Sequence, residues 1–253
     1  MSNASHPQLR NPPIVEAVFD VDCDLAPGFD LTALEAKSRA QCQGQYPKFR
    51  TQFLQELQIG EPEGATPKIS SRSAIQAFQF LHEDEKQLVQ LRPQGFSFNR
   101  LAPYTTLDDY LPEIERTWRS YVDLVSPVQI RAIRLRYINR ILVPLTAGSV
   151  DLDEYLKIGP RLPDQDRLTL SGFLIQQTAV EKDTGHQLNV VLTAQPPVSE
   201  KLPVILDITV ASQLRAEPAD WSKLMPLIES LRGLKNRAFF NILTPKCIEL
   251  FQS

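Results

Sequence analysis

The sequence predicts an α+β fold in which one unit, strand, helix, three strands and long helix, is used twice. The strands join a curved antiparallel sheet and the long helices pack on one side of it. Three observations predict this. The run Gln129–Leu145, QIRAIRLRYINRILVPL, alternates with the period of two that belongs to a strand. The order of strand-like and helix-like segments is the same before and after it. The two long helical segments also carry matching stretches, Leu111-Pro112-Glu113-Ile114-Glu115 and Met225-Pro226-Leu227-Ile228-Glu229, each proline six residues after a candidate cap. The repeats span residues 11–127 and 128–253 and are expected to form one compact unit.

The first unit opens after Asn11-Pro12-Pro13 with a strand over Ile14–Val21, which puts Val15, Ala17, Phe19 and Val21 on one face and Glu16 and Asp20 on the other. Asp30 is suited to cap a helix reaching about Gln43, where Gly44 and Pro47 stop it. Strands are expected over Phe49–Ile59, Ser73–His82 and Gln87–Phe98, with a loop at Gly60–Pro67 and a bulge at Gly95. Thr106 with Asp109 makes a capping box for a helix to about Leu124. The second unit begins with Gln129–Leu145. A short helix capped by Asp151 follows, then strands over Leu168–Glu181, Gln187–Gln195 and Val204–Val210, the first two joined by a turn at Asp183–Gly185. Asp220 opens a helix to about Phe240, and Thr244-Pro245 starts a last short one. A proline six residues into a helix either kinks it or moves its start so that the ring falls in the first turn.

Composition bounds the function. The chain has 253 residues, 42% hydrophobic and 23% charged, enough for a sizeable core. A net charge of −3 supplies no general attraction to nucleic acid or anionic membrane. Cys23, Cys42 and Cys247 are far apart and form no zinc spacing, which points to a reducing, cytoplasmic setting. No apolar run is long enough to cross a membrane as a helix, and no signal peptide is expected. Ser2-Asn3-Ala4 reads as the remnant of an expression tag.

Catalytic signatures are missing: no phosphate-binding glycine loop, no nucleophile elbow, no HExxH. His6, His82 and His186 lie in polar surroundings and read as surface residues, and Cys42 as an inert thiol. Asp20, Asp22 and Asp24 alternate along a strand end, a spacing that suits a hard cation but equally a solvated loop entry.

The sharper feature is the strand at 129–145. One face takes Ile133, Leu135, Tyr137, Ile141 and Val143, with Asn139 among them. The other takes Arg134, Arg136, Ile138, Arg140 and Leu142. Three guanidiniums cannot be buried without partners. That face therefore meets solvent, carboxylates or an anionic ligand. As an anion site it would use Arg134, Arg136 and Arg140, with Arg100, Asn139 and Glu16 as further candidates. The other reading is internal pairing. If Ile14–Val21 and Gln129–Leu145 are neighbours, Glu16 and Asp20 face the arginines, and Asp207 is another partner.

The residues Asn11-Pro12-Pro13-Ile14-Val15-Glu16, Asn99-Arg100-Leu101 with Pro103-Tyr104, Leu135-Arg136-Tyr137-Ile138-Asn139-Arg140, Leu206-Asp207-Ile208, and Leu234-Lys235-Asn236 with Phe239-Phe240 form a set. As a set, spread over nearly the whole chain, they resemble an uncharacterised, sporadically distributed family of bacterial proteins of about this length. The chain departs from it at Leu107, where members often carry tryptophan. The resemblance implies no activity, cofactor or catalytic residue. Its patchy distribution is similar to that of accessory genes such as mobile-element or phage-defence cargo. The neighbouring cluster Lys235, Asn236 and Arg237 reads as a favourable cationic helix end.

The topology resembles the saddle of the TATA-binding-protein type or a pair of helix-grip units, which carries no function by itself. The expectation is a binding or interaction protein that uses the open arginine-bearing face for an anionic small molecule or a protein partner, with no cofactor. The alternative is a metal-dependent enzyme on a nucleotide or phosphorylated substrate, with phosphate on the arginines and metal on Asp20 or Glu16. An uncovered sheet edge invites self-association, so a homodimer is a third expectation.

Overall fold

The computed structural model describes residues 7–59, 69–146, 148–164, 167–168 and 170–252. Ser2-Asn3-Ala4, His6 and the predicted loop Gly60–Pro67 lie outside the described residues. In chain order the elements are β1 (Ile14–Asp24), α1 (Glu35–Cys42), β2 (Lys48–Ile59), β3 (Ile69–Leu81), β4 (Gln87–Arg92), β5 (Gly95–Leu101), α2 (Leu107–Val125) and β6 (Gln129–Pro144). They continue with β7 (Leu174–Val180), β8 (Gln187–Ala194), β9 (Lys201–Ala216), α3 (Met225–Ile242) and α4 (Pro245–Glu249).

All nine described strands join one antiparallel sheet in the order β2-β3-β4-β5-β1-β6-β9-β8-β7. The first half of the chain supplies one side and the second half the other, and β1 lies against β6 across the boundary at 127/128 with Phe19 opposite Leu135 and Val21 opposite Ile133. One continuous ladder therefore crosses the predicted repeat boundary.

Alternation decides which face is covered. Phe19, Val21, Phe96, Phe98, Ile133, Leu135, Tyr137, Ile141, Leu206, Ile208 and Val210 all point to one face and are buried. Both long helices cover that face. Trp118 of α2 meets Phe96 edge-on at 5.7 Å, and its indole N–H donates to the Pro218 carbonyl at 2.9 Å. Trp221, just before α3, packs on Phe19 at 5.9 Å. Along α3 the buried residues Ile228, Leu231, Leu234, Phe239 and Ile242 recur at helical spacing. Burying side chains of this size contributes about 1.5–3 kcal/mol each relative to exposure.

Several local expectations hold. Thr106 and Asp109 make the reciprocal capping box. The Asp30 carboxylate accepts from the Thr32 N–H at 2.9 Å, capping a single 3-10 turn over Leu31–Leu34 that leads into α1. Pro112 lies inside α2, whereas α3 starts so that Pro226 falls in its first turn.

Others need correction. The single strand expected over Gln87–Phe98 is a hairpin, β4 and β5, folded at Pro93-Gln94, so the first half carries four strands after its helix where three were expected. Proline cannot donate to a ladder, which suits it to the turn. Gly95 is no bulge. It opens β5 opposite Asp22 at φ +150, and a side chain does not fit there, because a Cβ would sit 2.0 Å from the Val21 carbonyl oxygen. The strand expected from Leu168 begins only at Leu174, and the helix at Asp151 is a 3-10 turn over Leu152–Glu154.

Candidate functional site

The sheet has two faces that bear on function, and the predicted site residues divide between them. On the uncovered face, β1 brings Glu16, Asp20 and Asp22, β6 brings Arg134, Arg136 and Arg140, and β9 brings Asp207. Most of this charge is spent within the sheet. Arg134 forks onto Asp22 with two bonds of 2.7 Å, and Arg92 of β4 reaches the same carboxylate at 3.2 Å. Ser97 donates to Asp20 at 2.5 Å. Arg136 forks onto Asp207 at 2.6 and 3.0 Å. The Asp207 carboxylate raises the affinity of Arg136 for its proton, outweighing the opposing effect of burial.

Glu16 accepts from the Asn99 amide at 2.6 Å and ends a chain of amides that crosses the first half of the sheet. Asn99 accepts from Gln90 at 2.8 Å, Gln90 from Gln79 at 3.1 Å, and Gln79 also donates to Gln52 at 2.9 Å. Period-two spacing places each glutamine on the polar face of its own strand, but the sequence does not reveal the chain they form. Arg140 differs from its two neighbours. It is exposed and makes no side-chain ion pair or hydrogen bond among the described residues.

Two of the six candidates are not on that face at all. Arg100 aligns with Ala17 on the helix-covered side, where its guanidinium lies 5.2 Å from the Tyr110 ring. Asn139 is buried on the same side and donates to the carbonyls of Leu206 at 2.9 Å and Tyr137 at 3.2 Å. The six residues therefore do not assemble into one anion site, because the pleat sends Arg100 and Asn139 the other way.

On the helix side a groove of about 240 Å³ opens between the N-terminal stretch, α2 and α3. Its lining joins Pro12, Pro13 and Ile14, then Tyr104, then Tyr137 and Asn139, then Lys235, Asn236, Phe239 and Phe240. These come from four of the five scattered sequence stretches grouped above as a set. At its centre Lys235 lies over the Tyr137 ring, 4.1 Å from ammonium to centroid. Burial, with some repulsion from Arg232, pushes the lysine pKa down to about 7. No carboxylate pairs with Lys235 among the described residues. Its neighbour Arg232 is taken by Asp108 with bonds of 2.7 and 2.8 Å. The Tyr104 and Tyr137 hydroxyls touch at 3.1 Å, and burial raises both tyrosine pKa values, so both stay neutral.

The cluster 235–237 is thus no helix end. Lys235 lies mid-helix, and Arg237 pairs with Glu181 across to the β7–β8 turn. One signal could have found the groove lysine: position 235 is four residues from both Leu231 and Phe239, inside the apolar stripe of α3.

Other candidates recede. Among the described residues no group of three His, Cys, Asp or Glu side chains could hold a metal ion. His82 pairs with Asp84 at 3.0 Å. His186, expected at the surface, is buried and bonds the Ser230 hydroxyl at 2.9 Å. Burial pushes the thiols of Cys23 and Cys247 up to about 12 and that of Cys42 to about 11, so none is a nucleophile near neutral pH. A second cavity of about 250 Å³ lies beside Cys42 and Tyr46, but its cation, Arg116, is bidentate to Glu113 at 2.7 Å. Among the described residues no helix is long and apolar enough to cross a membrane. Compared with known proteins, the chain matches no family model and no curated protein.

Proposed function

We propose that the chain is a binding protein for an anionic ligand and that the ligand enters the helix-side groove at Lys235. One observation carries this reading: a partly buried ammonium, without a carboxylate partner among the described residues, lies in a groove built from sequence stretches far apart in the chain. A cation held in this way is costly to the fold unless something compensates it, and an anion is the natural compensation. The two-repeat reading is part of the same proposal. Its support is the strand order, in which β1 answers β6, β5 answers β9, β4 answers β8 and β3 answers β7, leaving β2 unmatched. The long helices then flank the junction and make the groove between them.

The second reading keeps the anion on the uncovered sheet face, and Arg140 favours it as the one member of the arginine triad left uncommitted. The metal-dependent enzyme has less support, since Asp20 is occupied by Ser97 and the arginines, and Glu16 by Asn99. A thermal-shift screen of the full chain with inorganic phosphate, pyrophosphate, ATP and small carboxylates separates the first two readings. Stabilisation by an anion should vanish in Lys235→Met and persist in Arg140→Ala. The reverse pattern would move the site to the sheet face, and an absence of any shift would remove both.

The same lysine predicts a stability effect. Below about pH 7 Lys235 is charged in both folded and unfolded chains, and its burial cost is fully present. Above the unfolded value of 10.5 it is neutral in both, and the cost is gone. Between these limits the unfolded chain holds more protons, so this residue's contribution makes stability rise with pH. Lys235→Met should therefore be more stable than the parent at pH 7, by about 1–3 kcal/mol, with the gain shrinking toward pH 10. Urea unfolding at pH 6, 7, 8 and 9 measures it. A less stable variant at pH 7 would mean that the ammonium is satisfied within the fold.

A further inference from the structure

The groove's donors and walls restrict the kind of anion it can take. It offers one uncommitted cation, Lys235, since Arg232 is held bidentate by Asp108 and also reaches Glu229 at 3.4 Å. The Asn236 side chain beside it makes no hydrogen bond among the described residues. Phosphate sites add a cradle of backbone N–H groups, commonly glycine-rich, or a second cation. Here Pro12 and Pro13 bring no N–H, no glycine lines the groove, and the first turn of α2 at its rim is already capped by Thr106. That turn also carries Asp109, whose charge opposes a dianion. The remaining wall is aromatic, with Tyr104 set edge to face on Tyr137 at 89° and Phe239 and Phe240 beside them. At about 240 Å³ the groove is smaller than the roughly 300–1,000 Å³ typical of pockets for drug-sized ligands, so it suits one ring system better than a nucleotide.

We propose, resting on the groove as the binding site, that its ligand is a monocarboxylate carried on a small apolar body, with the carboxylate on Lys235 and the body against the Tyr104 and Phe240 side chains. Binding then depends on the protonation of one group. Of the side chains facing Lys235, Tyr137 from β6 and Tyr104 from the loop after β5 stay neutral. Arg232 stays cationic, and its partner Asp108 is held anionic by it. Glu229, the other carboxylate at Arg232, lies one turn before it on α3. The N-terminal stretch lining the groove brings no charge. The carboxylate therefore meets its counter-charge only while Lys235 is protonated, and affinity should fall as pH rises from 6 to 9.

Isothermal titration of the full chain with 2-naphthoate, 2-naphthyl phosphate and 2-naphthalenemethanol tests this. The expected result is that 2-naphthoate binds at least about tenfold more tightly than either comparison probe. Its affinity should fall with pH, drop at least about tenfold in Lys235→Met, and be largely retained in Lys235→Arg. Circular dichroism and the thermal midpoint show whether each variant is folded. Tighter binding of the phosphate, still lost in Lys235→Met, would overturn the carboxylate proposal and leave the groove standing. Tighter binding of the neutral alcohol would overturn it too. Binding of 2-naphthoate that neither pH nor Lys235→Met alters, or no binding of any probe, would overturn the groove assignment as well.

Discussion

Gly95→Ala is expected to destabilise the protein by about 3–5 kcal/mol, a large share of the roughly 5–15 kcal/mol that holds a typical domain together. Two separate costs act at this position. The backbone is at φ +150, a region that L side chains rarely occupy, and the added Cβ would lie 2.0 Å from the Val21 carbonyl oxygen and 3.0 Å from the Asp22 Cα. Neither neighbour is a side chain that can swing aside. Both belong to the backbone of β1, which is hydrogen-bonded to β5 on one edge and β6 on the other. Relief would require the central ladder to separate. Gly44→Ala is the control, because nothing lies within 4 Å of a Cβ there and its φ is ordinary. It should change stability by less than about 1 kcal/mol. Thermal unfolding of the two variants should differ by roughly 10 °C. Equal midpoints would show that β1 and β5 are not packed as described.

Asp22→Ala is the second large effect expected, at about 2–3 kcal/mol. Asp22 is the carboxylate shared by Arg134 and Arg92, and its loss leaves two partly buried guanidiniums with Asp20 as their one remaining anionic partner among the described residues, at 3.9 and 3.4 Å, and the Phe96 carbonyl for Arg92 at 3.0 Å. Removing one partner of a fully buried pair costs about 3–5 kcal/mol. The arginine side chains here keep 29% and 19% of their exposure, which lowers the figure. Burial alone would raise the Asp22 pKa, but the hydrogen bond and charge of Arg134, with Arg92 and Arg131, override it and hold the group below its ordinary value of 3.8. A depressed carboxylate contributes stability that is fully present above its unfolded pKa and is lost as pH falls through the folded one. The gap between parent and Asp22→Ala should therefore narrow below about pH 4. Arg136→Met serves as the comparison. Arg136 is 47% exposed, so loss of its pair with Asp207 should cost no more than about 1 kcal/mol. If Asp22→Ala costs no more than Arg136→Met, the β1–β6 arginine network behaves as a surface.

Much of this architecture was legible in residue order. The alternation in 133–143 specified the centre of β6 and the facing of its side chains, including Asn139 on the buried side, whereas a register shift between Ile130 and Ala132 reverses the phase and buries Ile130. The Thr106–Asp109 pair specified the start of α2. The split of 87–101 into two strands was also written in the order of residues, because the apolar positions change phase from Val89 and Leu91 to Phe96 and Phe98 across Pro93, and the single-strand expectation passed over that change. The candidate site was less legible. Arg134 and Arg136 were visible as a charged stripe, but whether a stripe is free or paired depends on which strand lies beside it. Lys235 reads in sequence as part of a cationic cluster with Arg237, a reading that passes over its place in the apolar stripe between Leu231 and Phe239.

Periodicity, caps and turn residues are local, acting over a few residues of chain, and so the amino-acid sequence by itself determined the α+β class, the long helices and the two faces of the central strand from Ile133 to Val143. Pairing and burial are long-range. That Asp22 meets Arg134 across 112 positions, and that Tyr104, Tyr137 and Lys235 share one groove, was decided only when β1, β6 and α3 came together in three dimensions. An ionic side chain has the same chemistry wherever it stands in the chain. Its partner and its exposure to water are properties of the fold, and these decide whether it is a strut of the sheet or a place for a ligand.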